Sequence, residues 1–427
     1  MPERIIPVSS GKGGVGKTTV ATNFALSLSR YAPTVLIDLD TGTSSIRNTI
    51  GVPIPYDLYH FFRKGRPLSD CVTRLPASWD PDGTFKNFGF VAGPLHLIEE
   101  ITNFSGEKKT ALAEAINDLK ATYVVLDLKA GVDSNVIDFL PYSNSGILVF
   151  TPHLPAATLA ASDIVKAILF RKLRILFSAG SPFYDGVAEP AKLSRLIHYL
   201  LDQVEDVYEK ALPNLDAFLV DLATAVGPHP IVARLARTIE HFRVFYVLNM
   251  FDGVAEGYDT AVKPFVTNLI ESVSGRLVIS NLGWLVRSDE VHRGNCDARP
   301  VLLQPRAGTG RPRVSAVDAA FDRIVRDTYG LALPKKRAPR HASKAAPPDA
   351  GGVLSEQLDI LVRMQGRSDG RRTDPRDDIH YLTSRAVHLL RAALPSEFGA
   401  PRITSPGEIQ RLFFPSPRHP SPPAPLS

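Results

Sequence analysis

The stretch Ser9–Thr19, SSGKGGVGKTT, decides the fold of this 427-residue chain. The run before it, Arg4 to Val8, is short and mostly apolar, and the run after it, TTVATNFALSLSR, repeats Val20, Phe24 and Leu28 at helical spacing. Strand, glycine-rich loop and helix follow in the order a phosphate-binding turn requires. The spacing Gly11-x-x-x-x-Gly16-Lys17-Thr18 places glycines where the backbone must present several N–H groups to one set of phosphate oxygens, and the helix adds the positive end of its dipole. Gly11, Gly13, Gly14, Val15, Gly16, Lys17, Thr18 and Thr19 are the expected cradle, with Lys17 on the β and γ phosphates and the Thr18 hydroxyl on Mg²⁺. Pro7 removes a ladder donor from this strand, so a bulge or an unpaired position is expected there.

Two further apolar runs end in carboxylates. TVLIDLD reads as a buried strand, Val35 to Asp38, and YVVLD ends at Asp127, the place of a carboxylate that holds a Mg²⁺ shell through water. Acidic strand ends collect at the edge of an open parallel sheet where ligands bind. Strands alternating with helices predict an α/β, doubly wound, mostly parallel sheet with helices on both faces.

Composition narrows the function classes. A hydrophobic fraction of 44% supplies a full core, and two cysteines, Cys71 and Cys296, lie too far apart in sequence for a disulfide framework or a zinc or iron–sulfur motif. MPERIIPVSSG lacks the apolar core of a secretory signal, and no apolar run of about 18 residues occurs, so a soluble, reducing, cytoplasmic setting is expected. From Lys335 onward the chain carries 15 Lys and Arg against 9 Asp and Glu, a net +6, which leaves −1 for the rest.

GKGGVGKTT resembles the deviant Walker A motif of the ParA/MinD family, dimeric ATPases that position plasmids, division sites, flagella and other cargo. The segments DLKAGVDSNVIDFL and DLDTGTSSIRNTIG look closest to its FleN/FlhG-like and MinD-like branch. The resemblance covers about residues 3 to 330. It implies that Lys12 crosses an ATP-dependent homodimer interface to the partner's phosphates, adding charge where it develops in phosphoryl transfer. It further implies that Asp40 positions or activates the attacking water, that Asp38 lies beside the metal, and that Gly131 senses the γ-phosphate. Asn249, after FRVFYVL, would hydrogen-bond the adenine, and NLGWLVRSDEV would lie along the base. The implied activity is slow Mg-ATP hydrolysis that switches partner binding. Where relatives have a small residue in the second switch this chain has Lys129, which keeps open an alternative, an ATP-binding scaffold with little turnover. An iron–sulfur carrier would need paired cysteines at a dimer axis, which Cys71 and Cys296 do not provide.

The expected organisation is an ATPase domain over 1–334 with a helical insertion at about 178–241, a flexible basic linker over 335–352, short docking helices within 353–414 and a disordered, proline-rich end over 415–427. Within the insertion Leu193, Leu196, Ile197, Leu200 and Val204 form one stripe, expected to add to the core, with a lid or partner-binding surface as the other reading. In the tail Ile379, Leu382, Ala386, Leu389 and Leu390 share a face. A partner arm dispensable for folding of the body is one reading of the tail and a solvated extension is the other. Its few aromatics disfavour nucleic acid, and its prolines disfavour a membrane-binding terminal helix.

Overall fold

Long uninterrupted apolar runs form strands when both faces of a sheet are covered. That is how this chain uses them. The computed structural model describes residues 4–40, 45–95, 105–140, 144–178, 180–184, 186–206, 212–305, 350–365 and 374–392. Its strands are β1 Arg4–Ser9, β2 Thr34–Leu39, β3 Thr73–Arg74, β4 Phe88–Val91, β5 Tyr123–Leu128, β6 Asn144–Phe150, β7 Arg243–Phe251 and β8 Val278–Val286. They form one sheet in the order β3-β4-β2-β5-β1-β6-β7-β8, in which only β3 runs antiparallel. Every residue of β2, β5 and β6 is buried. The expected α/β fold with a mostly parallel sheet is the fold observed.

β1 lies inside the sheet, between β5 and β6. The chain moves one way from β1 to β2 and the other way from β6 to β7, so the loops leaving β1 and β6 part and open a crevice at the C-terminal edge. Pro7 keeps its register with Leu126 of β5. The irregularity falls beside it, in β6. β1 pairs with β6 only at Val8 and Ser9, and the register of β6 on β7 shifts between Asn144 and Ile147. Side chains take over the bonding there: Asn144 Oδ1 accepts from Gly146 N at 2.7 Å and Ser145 Oγ from Phe245 N at 2.9 Å.

The loop helix Lys17–Ser29 follows the phosphate loop, and the long helix Pro155–Leu176 follows β6. Between the long helix and β7 lie the helices Pro190–Glu205, Leu215–Val226 and Pro230–Glu240. Of the expected stripe, Leu193, Ile197, Leu200 and Val204 are buried in the continuous core, Leu196 is partly covered, and Leu201 joins them. The insertion is fixed to the end of the long helix. Arg174 bonds Asp202 at 2.7 Å and Ser194 Oγ donates to Phe177 O at 2.7 Å.

Two further helices, Ala350–Gln365 and Pro375–Ala392, fall in the segment expected to hold docking helices. Their docking site is the body of the same chain. Leu361, Ile379, Leu382, Ala386 and Val387 are buried in the main core and Leu389 packs on it, while the Leu390 side chain lies outside the described residues. The helix Pro375–Ala392 lies against the loop helix and β8, and Ala350–Gln365 lies against the helix Lys263–Ser272 and β8. Leu382 fits because position 283 is glycine: at φ 149° a Cβ there would come within 3.0 Å of the Leu382 Cβ. β8 is the last strand of the sheet, and its backbone bonds to these helices. Val286 N donates to Asp378, Arg385 donates to Asn281 O at 2.6 Å, and Gln357 donates to Ile279 O at 3.2 Å. This packing counters the expectation of a tail dispensable for folding, because periodicity revealed an apolar face and not the surface that meets it. Of the expected linker 335–352, residues 335–349 lie outside the described residues, as does the end 415–427, while 350–352 form the start of the helix Ala350–Gln365.

Candidate functional site

The phosphate loop closes at the end of β1 as its glycines require. Gly16 caps the loop helix in the left-handed region, at φ 78°, and a Cβ there would lie 2.1 Å from the Asn249 amide nitrogen. Gly11 is equally constrained, since its Cβ would sit 2.5 Å from that of Ala160 on the long helix. Side chains at either position would push apart the elements that frame the loop. Val15 is buried beneath it, and Gly13 and Gly14 are exposed on its rim.

Lys17 is buried and its Nζ lies 2.5 Å from Asp127 Oδ1. Thr18 Oγ1 donates to Ser45 Oγ at 3.0 Å, and Ser45 Oγ donates to Asp127 Oδ2 at 3.3 Å. The loop lysine, the loop hydroxyl and the strand-end carboxylate therefore converge. Ser45 is a member that the sequence reading missed; its only signal is a hydroxyl a few residues past the acidic strand β2.

Asp38 stands directly across from Asp127 in the register of β2 on β5, and both are fully buried. Its Oδ2 accepts from Ile46 N at 3.0 Å and its Oδ1 from Asp40 N at 3.1 Å. Burial, and then the charge of Asp127, push the Asp38 carboxyl up to about 7, against the pull of the Ile46 N–H and Lys17. Two buried carboxylates thus share one lysine, and the site is short of positive charge. With the hydroxyls of Thr18 and Ser45 they form an all-oxygen donor set, which suits Mg²⁺. No cluster of three or more His, Cys, Asp or Glu able to hold a metal occurs among the described residues, so phosphate oxygens and water would complete the shell.

Asp40 is half-buried at the mouth of this edge, next to residues 41–44, which lie outside the described set. Gly131, at φ 109°, donates its N–H to Ser10 O at 2.8 Å and so ties the β5 loop to the phosphate loop. Lys129 points along the surface, 3.7 Å from Asp133, with both side chains about 40% exposed. Lys12 is exposed and near Asp163 on the long helix, whose carboxyl is pushed up by burial against the weaker opposing pull of Lys166 and Lys12.

Asn249 is buried, and its Nδ2 donates to Val15 O at 2.8 Å. It holds the phosphate loop from β7. Of the segment expected along the base, Asn281–Val286 is the second half of β8, with Trp284 stacked on Phe251 at 4.4 Å. Only the part from Arg287 onward lies past the strand. It forms the helix Asp289–Cys296, and Asn295 Oδ1 accepts from Thr19 Oγ1 at 3.3 Å. Asn295 is a second residue that spacing could not reveal.

Residues 2–56 match the ParA family model, described as the NUBPL iron-transfer P-loop NTPase. The chain is 30% identical over 156 residues to a MinD-type septum site-determining protein of Tupiella akineta, covering 36% of this chain and 48% of that protein. It is also 30% identical over 172 residues to the chloroplastic septum site-determining minD homolog of Arabidopsis thaliana, covering 39% and 50%. The phosphate-loop segment is similar to those of the ParA/MinD family. The chain spans about half the length of the curated relatives it matches. Among solved structures, the MinC:MinD cell division protein complex of Aquifex aeolicus aligns at 15% identity over 78% of this chain and 98% of that one, with a TM-score of 0.41. Of this ParA/MinD-like chain's cysteines, Cys71 is buried in the core and Cys296 is exposed at the end of the helix Asp289–Cys296. No helix among the described residues is long and apolar enough to cross a membrane.

Proposed function

We propose that this ParA/MinD-like chain is a Mg-ATP-dependent switch: it binds ATP at the Ser9–Thr19 loop, dimerises face to face, and hydrolyses ATP slowly to release its partner. The observation that carries this reading is the convergence of Lys17, Thr18 and Ser45 on Asp127 at the open edge of the sheet. The relatives named for septum site determination support cellular positioning as the output.

In this reading Lys17 leaves Asp127 for the β and γ phosphates, exchanging one charge-assisted bond for another. Thr18 and Asp127, with Asp38 beside them, would hold the metal. Bound Mg²⁺ would supply the positive charge that two buried carboxylates lack and would neutralise the phosphates. Asp40 orients the attacking water, and Gly131, tied to Ser10, follows the γ-phosphate. Lys12, exposed on the rim, reaches the phosphates bound by a second copy. Asn249 holds the loop in register beside the base.

A calorimetric titration tests the site. Lys17→Ala should lose ATP binding, and undiminished affinity would overturn the reading. Lys12→Ala should keep nucleotide binding in the monomer yet lose ATP-dependent dimerisation in sedimentation, together with turnover. An ATP-holding scaffold with little turnover is the second reading. The outward pairing of Lys129 with Asp133 speaks against Lys129 blocking the phosphates, and phosphate release measured with and without a partner separates the two.

A further inference from the structure

The helix Asp289–Cys296 carries a Thr19 contact, yet only Gly294 among its residues is buried. Its apolar packing is slight, with Val291 partly buried against the core. The strap that it begins, residues 289–305, buries Val301 and Leu303 at its far end and is otherwise held by polar contacts: Ala298 O accepts from Gly51 N at 2.8 Å, and Leu302 N donates to Asn23 Oδ1 at 3.4 Å. Its other anchor comes from the first turn of the helix Pro375–Ala392. Arg376, only 6% exposed, bonds Glu290 Oε2 at 2.6 Å and Asp374 Oδ1 at 3.0 Å. Two residues on, Asp378 accepts from Val286 N at 3.1 Å, just where β8 gives way to the strap. Four residues past Arg376, His380 meets Ser27 Oγ and the Arg30 guanidinium near the far end of the loop helix. One C-terminal helix therefore grips the loop helix at one end and the strap at the other, while the strap grips the loop helix through Thr19.

We propose that Arg376 is a positioning residue for the nucleotide: through Glu290 it fixes the strap, and through Asn295 and Thr19 the strap fixes the first turn of the phosphate-loop helix. The C-terminal helix is thereby coupled to nucleotide affinity, and by linkage bound nucleotide strengthens the seating of that helix. This rests on the reading of Ser9–Thr19 as an ATP site. An ion pair whose cation is nearly buried is costly to break from one side, because the remaining charge is left without compensation. The far end of the strap is seated by Val301 and Leu303 in the core, so the Arg376–Glu290 pair bears on its first part, the exposed helix that carries Asn295.

The test uses the full chain and Mg-ATP in calorimetric titration, with chemical unfolding as a parallel readout. Arg376→Ala and Glu290→Ala should each weaken ATP binding about tenfold, equivalent to about 1.4 kcal/mol. The double variant should be no weaker than the worse single one, because the two act as one unit. Arg376→Lys should restore part of the affinity. Arg385→Ala, on the same helix but bonded to Asn281 O in the middle of β8, should lower stability and leave ATP affinity within twofold. If Arg376→Ala does not fold, Glu290→Ala carries the test, since Glu290 is 36% exposed. Parental ATP affinity in folded Arg376→Ala and Glu290→Ala overturns the proposal, as does an equal loss in Arg385→Ala. A parent that binds no ATP overturns the site and the clamp together. A parent whose affinity falls with Lys17→Ala and not with Glu290→Ala overturns the clamp alone.

Discussion

The loop helix Lys17–Ser29 and the insertion helix Pro190–Glu205 are of similar length and are covered very differently. Twelve of the 13 residues of the first are buried, against six of the 16 in the second. The insertion helix has an ordinary amphipathic pattern, one stripe inward and Tyr199 outward at 60% exposure. The loop helix has alanines, serines and threonines where a surface helix would carry charges, because the sheet lies on one side and the helix Pro375–Ala392 on the other. Small, weakly polar residues all round a helix mark a second covering layer, and here that layer arrives from about 350 residues away in sequence, at His380 on Ser27.

Removing the cover should have the largest effect. Truncation after Pro334 uncovers the loop helix and β8 and removes Leu361, Ile379, Leu382 and Val387 together with the core contacts they make. At roughly 1.5–3 kcal/mol for each large apolar side chain, the loss should exceed about 5 kcal/mol, and calorimetry should show the unfolding midpoint down by about 10 °C or more. A midpoint unchanged by truncation would mean that the second layer does not stabilise the body.

Leu382→Ala opens the same contact at a single point, against Gly283, and should cost about 2–5 kcal/mol in denaturant unfolding. Asp378 gives the contact a pH dependence. Burial raises its carboxyl from 3.8 to about 7, with Asp377 and Asp374 adding to the shift and the Val286 N–H opposing it. A carboxyl raised in the folded state is protonated there at pH values where the unfolded chain has already ionised, so its contribution is intact below about 4 and is lost as pH rises to about 7. Asp378→Asn should remove a pH-dependent loss on the order of 3 kcal/mol, seen as a smaller fall in midpoint than the parent between pH 4.5 and 8. The smallest effect belongs to the single-layered side: Tyr199→Ser should change stability by less than about 0.5 kcal/mol.

The same contrast governs what could be read from the sequence. The phosphate loop and the acidic strand ends were legible because their chemistry is local: glycines, a lysine and a hydroxyl within eight positions, and carboxylates closing apolar runs. Lys17 and Asp127 meet because β1 and β5 are neighbours, a strand order that the alternation of strands and helices does not itself specify. Ser45, Asn295 and the Asn249 bond to Val15 were not legible, since each depends on where two distant segments come to rest. Pro7 announced an irregularity correctly in kind and misplaced it by one strand, because a missing donor can be accommodated by the neighbour that would have accepted. The packing of the tail on the body is not legible for a related reason: its prolines fall mostly outside its two helices, while the helices themselves carry the apolar faces.

The bonds from the C-terminal helices to β8 have a consequence for how these molecules behave in a crowd. An outermost strand ordinarily offers a row of free backbone donors and acceptors, a template on which another chain can add a strand and start a fibre. Here Asp378, Arg385 and Gln357 occupy Val286 N, Asn281 O and Ile279 O, so the row is plugged by side chains of the same polypeptide. The two helices thus act as a guard against self-polymerisation.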